Sequence, residues 1–259
     1  MYLTIIRFFS VFLSINLFFL LLLFSGCSSK KNNKPIFSNN KALLFTNKIK
    51  NINKNIKTSK GIGWITFSDK GKKEKFRVAW ALLNPDKIRM TIMKSGVLIE
   101  TVIFNGKSIL FLSHTGRHPL HKINSNNPFL ENILFLPIKI KDIIALLSGQ
   151  IPLCDFDFAY FLKNNDLINT TLVLRKKLKG DVQKIFMDSN YDIIKLEYLG
   201  LIKEYTIKFF NYKENNSFRI PCKLIIKEKS GKSLELEITK YHTNIVLKKD
   251  IFNLGYIKK

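Results

Sequence analysis

Three rhythms of apolar and polar residues divide this chain of 259 residues. Residues 8–24 are almost continuously apolar, and a stretch rich in Ser, Lys and Asn follows to about residue 40. Between 40 and 57, Leu43, Leu44, Ile49, Ile52 and Ile56 fall at loosely helical spacing, which predicts one amphipathic helix. Beyond it the period drops to two. Phe76, Val78, Trp80 and Leu82 alternate with Arg77, Ala79 and Ala81, and Ile88, Met90 and Ile92 alternate with Arg89 and Thr91. Successive side chains of a strand point to opposite faces, so each segment predicts a strand with one apolar face. Turn residues at Ser68-Asp69-Lys70-Gly71 and Leu83-Asn84-Pro85-Asp86 punctuate these strands, and Asn105-Gly106 predicts a two-residue hairpin turn.

The strand rhythm breaks from His114 to Asn127. Asn127-Pro128 predicts the start of a short helix with Phe129, Leu130, Ile133 and Leu134 on its apolar side. A second helix is predicted where Ile140, Ile143, Ile144 and Leu147 fall at i, i+3, i+4 and i+7, stopped by Gly149. Strands resume near Thr171 and run to Tyr241, and there Leu234, Leu236 and Ile238 alternate cleanly with Glu235, Glu237 and Thr239. Short connections between successive strands make the sheet antiparallel. About eleven strands with helices inserted after the first five give an α+β plan: a curved antiparallel sheet with helices over one face.

The termini set the compartment. Arg7, the apolar run and then Ser25-Gly26-Cys27 have the layout of a secretory signal. The Gly-Cys step resembles the lipobox of bacterial lipoproteins, with Phe24 where that box usually holds Leu. Residues 1–26 are therefore expected to be a lipoprotein signal peptide, and Cys27 the site of lipid attachment. An uncleaved spanning anchor is the alternative, and either places the body outside the cytoplasm. Residues 27–39 read as a flexible tether, and 40–259 as one domain. Ser28 follows the cysteine, which by resemblance to Gram-negative sorting directs a lipoprotein to the outer membrane.

The formal charge of +24 would ordinarily point to nucleic acid, but export argues against that partner. The lysines are spread along the sequence and read as a solvated surface, with a secondary attraction to anionic lipid head groups. Cys154 and Cys222 remain once Cys27 is acylated, either bridged or as two buried thiols. Motifs for catalysis are missing: there is no Gly-x-Ser-x-Gly elbow, phosphate loop or His-Glu-x-x-His. His114, His118 and His121 are close enough in sequence to converge on a metal, yet a solvated loop is the favoured reading. No cofactor, metal site or enzyme activity is expected. The informative feature is apolar supply: Trp64, Phe76, Trp80, Met90 and Ile92 from strands, and Ile143, Ile144 and Leu147 from the second helix. A curved sheet lidded by thin helices encloses more space than they fill, and such concave apolar sites bind apolar ligands.

Several segments resemble the LolB/LolA family of lipoprotein receptors and carriers. They are Gly61-Ile62-Gly63-Trp64, the strand pair around Trp80 and Asn84-Pro85-Asp86-Lys87-Ile88-Arg89, and the hairpin at Lys94-Ser95-Gly96-Val97-Leu98. The helix from Asp142 that ends in Leu147-Ser148-Gly149-Gln150-Ile151-Pro152 is the most specific element. The resemblance covers residues from about 57 to 242. It implies a half-barrel of eleven strands, closed by helices over a cavity for lipoprotein acyl chains. It also implies a membrane-insertion loop, whose apolar residue here would be Val97 or Leu98. On the residues alone, these two could equally begin the next strand. The expected protein is a monomer, lipid-anchored in the outer membrane and facing the periplasm. It would take acylated lipoproteins from a periplasmic carrier and insert them into outer-membrane lipid. The rivals are a lipoprotein of the same fold binding another envelope lipid, and a structural or assembly lipoprotein whose cavity is merely core.

Overall fold

The two-residue period is realised as one antiparallel sheet of 13 strands in this computed structural model, which describes residues 39–131, 136–162, 170–200, 204–215 and 217–253. Its first half is a meander of β1 (Thr58–Asp69), β2 (Lys72–Leu83), β3 (Lys87–Lys94), β4 (Val97–Phe104), β5 (Ser108–Ser113) and β6 (His121–Asn124). Its second half is a meander of β7 (Phe158–Leu162), β8 (Thr170–Lys176), β9 (Gly180–Met187), β10 (Ile193–Tyr198), β11 (Tyr205–Asn215), β12 (Phe218–Glu228) and β13 (Ser233–Thr243). The spatial order runs β6-β5-β4-β3-β2-β1-β13-β12-β11-β10-β9-β8-β7. The first and last strands therefore pair at the centre, Ile65 opposite Leu236, and β6 and β7 form the two edges.

The expectation of about eleven strands is corrected by those two edges. β6 contains His121, Lys122, Ile123 and Asn124, and β7 precedes the point where alternation resumes. An edge strand has one pairing neighbour, so it can be short and carry little patterning. Central strands match the alternation closely: in β3, Ile88, Met90 and Ile92 are buried while their neighbours are half-buried. The β4–β5 hairpin forms as expected, shifted by one residue. Gly106 adopts φ +90 at the first central position, and the Asn105 side chain accepts from the Lys107 and Ser108 backbone N–H groups.

The first helix, α1 (Asn40–Asn51), is capped by Asn39, whose side chain accepts from the Lys41 N–H. It buries Ala42, Thr46 and Ile49, while Leu44 points outward at 65% exposure. The second, α2 (Ile140–Leu147), lies on the crossover that carries the chain from one sheet edge to the other. Gly149 ends it with φ +66, a left-handed conformation that glycine adopts without penalty. The Ser59 and Tyr241 hydroxyls donate to the Leu147 carbonyl, tying the end of α2 to the central strands.

The helix expected to begin at Asn127-Pro128 starts later than expected, with helical backbone from Glu131. Phe129 instead forms an isolated antiparallel bridge with Lys139 and stays 44% exposed. Asn127 does serve as a cap, but of α2: its side-chain oxygen accepts from the Lys141 N–H. Ile133 and Leu134 lie outside the described residues. So does the 1–26 signal with Cys27.

Candidate functional site

Inward-facing residues of the central strands and of α2 enclose a small cavity of ≈ 40 Å³. Ile65, Val78, Trp80, Met90 and Ile92 come from β1–β3, Leu224, Ile226, Leu234 and Leu236 from β12 and β13, and Ile143, Leu146 and Leu147 from α2. All are aliphatic or aromatic, because each strand presents every second residue to this face. Gly61, which pairs directly with Trp80 across β1 and β2, makes the arrangement fit. A Cβ on Gly61 would overlap the indole ring, so the ring lies flat over the glycine. The Trp80 indole N–H is buried and has no hydrogen-bond partner among the described residues.

Next to this cavity opens a far larger cleft of ≈ 950 Å³, and Ile92 lines both. The cleft wall is chiefly apolar, with Phe67, Phe76, Ile99, Phe111, Ile123 and Leu136. Phe67 and Phe76 meet edge-on at 6.0 Å, a favoured aromatic geometry. Its mouth is charged with both signs: Lys70, Lys72, Arg117 and Lys232 stand with Asp69 and Glu74. Glu74 is paired with Lys94 at 3.1 Å. A volume of this size lies within the usual ligand-pocket range of roughly 300–1,000 Å³, which the inner cavity alone does not reach.

One corner of the mouth is a histidine cluster. His118 Nε2 contacts Glu100 Oε2 at 3.0 Å, and its Nδ1 lies 2.7 Å from the Pro119 carbonyl. That carbonyl and the Glu100 carboxylate both hold the His118 pKa above the usual imidazole value. His114 bonds Thr101 at 2.8 Å, and His121 stacks on Phe111. The three imidazoles thus take three different partners, and no metal-binding group forms among the described residues. Glu100 is four strand residues from its turn and became a histidine partner only through the β4–β5 pairing.

Tyr198 of β10 and Tyr205 of β11 stack face to face at 4.3 Å, and the Tyr198 hydroxyl donates to the Pro152 carbonyl. Burial pushes both phenols up, so both stay neutral hydrogen-bonding groups. Burial also raises the pKa of Asp142, in the first turn of α2, against the opposing pull of Lys139. Cys154 and Cys222 are free thiols, and burial pushes Cys154 up to about 11. A thiol held that high is a weak nucleophile.

Of the residues singled out by patterning, Trp80, Met90, Ile92, Ile143 and Leu147 come together around the inner cavity. Phe76 lines the adjoining cleft instead. Trp64 is corrected: it is 39% exposed on the opposite face, where Lys75 sits 5.2 Å over its ring. Parity decides this, because Gly61, Gly63 and Ile65 take the inward positions of β1. Ile144 is corrected too, being fully buried in the packed core without lining either space. Val97 and Leu98 do open β4, yet neither enters the core, at 59% and 43% exposure. Ile65, Val78, Leu224 and Ile226 are cavity residues that patterning did not single out. They share the inward parity of Trp80 and Leu236, but which strands meet at the centre is decided by the pairing of β1 with β13.

No family model and no curated protein matches the sequence. Solved structures do match the fold. A domain described as an outer membrane lipoprotein-sorting protein from Vibrio parahaemolyticus is 16% identical with a TM-score of 0.56, over 85% of this chain and 99% of that one. A LolA superfamily protein from Nitrosomonas europaea is 14% identical with a TM-score of 0.56, over 83% of this chain and 98% of that one. At such identities the likeness carries the fold, an open antiparallel barrel of the LolA type, and nothing of the chemistry.

Proposed function

We propose that this chain is an outer-membrane lipoprotein, anchored through Cys27 and facing the periplasm. In this reading it binds the acyl chains of lipoproteins arriving on a periplasmic carrier and inserts them into the outer membrane. The carrying observation is the apolar cleft of ≈ 950 Å³ that adjoins the inner cavity at Ile92, on a sheet of the LolA type. An acyl chain laid against Phe67, Phe76 and Phe111 would leave water, at roughly 0.8 kcal/mol for each methylene buried. The charged mouth keeps the polar head of such a ligand in contact with solvent and with Lys70 or Arg117. Sorting of lipoproteins is also what the Vibrio domain is described as doing.

A second reading draws on the mixed charges of the mouth, which suit the head group of another envelope lipid. Native mass spectrometry of the full chain released from membranes in mild detergent separates the two. A bound diacylated or triacylated lipoprotein is the expected result, and a bound phospholipid supports the alternative. Finding neither, with no uptake of a fluorescent fatty acid, overturns both. The anchor has its own test. Wild type incorporates labelled palmitate and Cys27→Ala does not, and equal labelling refutes the lipid attachment.

A further inference from the structure

We propose that the β8–β9 hairpin tip is a second membrane contact, so that the protein docks on an anionic lipid bilayer by one whole end of its sheet. This rests on the membrane-facing role proposed above and adds a site to it. Antiparallel pairing places the β1–β2, β3–β4, β5–β6, β8–β9 and β12–β13 turns at the same end of the sheet. At the β8–β9 turn, Leu178 is 96% exposed within Lys176-Lys177-Leu178-Lys179. Val97 stands beside Lys94 on the β3–β4 turn of that end, and Leu120 follows Arg117 between β5 and β6.

An exposed leucine is ordinary by itself. Its setting among three lysines is that of a side chain entering acyl chains while ammonium groups stay among the phosphates. The other turns of this end add further cations. Lys70, Lys72, Lys229 and Lys232 join the cations already named, and Glu74 and Glu204 are each paired to a lysine. A basic residue close to an anionic bilayer raises partitioning about fivefold.

Two further observations fit the orientation. The cleft mouth opens at this end, since Asp69, Lys70, Lys72 and Lys232 belong to its turns. A docked molecule would therefore present the mouth to the bilayer, and a ligand would pass without crossing water. The chain also enters the domain near this end. The Asn39 N–H donates to the Ala159 carbonyl on β7, and Ala159 pairs with Leu174, four residues before Leu178.

The test uses the full chain in vesicles of phosphatidylethanolamine and phosphatidylglycerol with brominated acyl chains. Leu178→Trp adds a reporter at the tip, Val97→Trp one at the β3–β4 turn, and Tyr191→Trp one at the opposite end. The emission of Trp64 and Trp80 is measured in wild type and subtracted. The added emission of Leu178→Trp is expected to be quenched and shifted to the blue, that of Tyr191→Trp unchanged. Replacing phosphatidylglycerol by a zwitterionic lipid, or replacing Lys177 and Lys179 by Glu, is expected to reduce the quenching. If Leu178→Trp is quenched no more than Tyr191→Trp, there is no second contact. Quenching of Val97→Trp in that same experiment would leave the function proposed above standing. Equal quenching of Leu178→Trp in zwitterionic vesicles overturns the anionic surface.

Discussion

Adding one methylene inside the inner cavity tests whether that space is free. Val78 is 2% exposed on β2, pairs with Gly63 and Ile92, and lines the ≈ 40 Å³ void. Val78→Ile sends an extra methyl group into it and exposes nothing new to water. Burying one carbon this way contributes about 0.8 kcal/mol. For a domain of this size that corresponds to a rise in melting temperature of roughly 2–3 °C. The opposite outcome has an equally definite size, since overpacking a full core costs about 1–3 kcal/mol. Thermal melting by circular dichroism resolves the two. Uptake of a fluorescent fatty acid is measured on the same samples, and a chain that reaches past Ile92 is expected to bind more weakly to Val78→Ile. A variant that melts several degrees lower refutes the free space. One that melts higher and binds as wild type confines the ligand to the outer cleft. Met90→Ala provides the contrast, enlarging the same void at a cost of about 2–5 kcal/mol.

Asp142→Asn is expected to raise stability at neutral pH. Burial raises this carboxyl group's pKa in the folded protein, so its contribution is present at low pH and lost as pH rises through the folded value. Urea midpoints at pH 7 and pH 4 check it, and the advantage of Asn should narrow at the lower pH. Gly61→Ala forces the Trp80 ring off its seat and should cost about 1–3 kcal/mol. Part of this should return in Gly61→Ala combined with Trp80→Phe, and additive losses in a urea cycle would count against the ring contact. Val97→Glu and Leu98→Glu should melt like wild type, since both side chains are exposed. Transfer of lipoprotein into liposomes is the discriminating assay, and normal delivery by both variants removes the β3–β4 tip from the mechanism.

Much of the sheet was legible because its central strands have one wet face and one dry face. β2, β3 and β13 follow from parity alone, and α2 from the spacing of Ile140, Ile143, Ile144 and Leu147. The edges were not legible, since a strand paired on one side needs no strict alternation, as His121-Lys122-Ile123-Asn124 shows. Aromatic size misled at Trp64. The residue lies in a strand, but two small neighbours, Gly61 and Gly63, take the dry positions. The helix start placed at Asn127 was too early for a different reason: its Asn-Pro pair has capping chemistry, but the cap serves α2 14 residues later, and helical backbone begins at Glu131. The cavity residues from β12 and β13 reach the inner cavity only through a contact between β1 and β13, nearly the whole domain apart in sequence, which no local pattern encodes.

That central seam also orders events during folding. Every other ladder in the sheet joins strands adjacent in the chain, and hairpins of that kind close within microseconds. Only β1 and β13 must find each other across the full domain, so their loop-closure entropy is the largest in the molecule. A polypeptide emerging from its N-terminus can assemble β1–β6 and must then hold β1 as a bare edge until the last strand arrives. Through that interval the row of unpaired backbone groups from Ser59 to Ser68 is open to pairing with another chain. Lys60 is one exposed charge on that strand, whereas Gly61, Gly63 and Ile65 are not polar. The hazard falls on nascent molecules and ends when β13 pairs with β1.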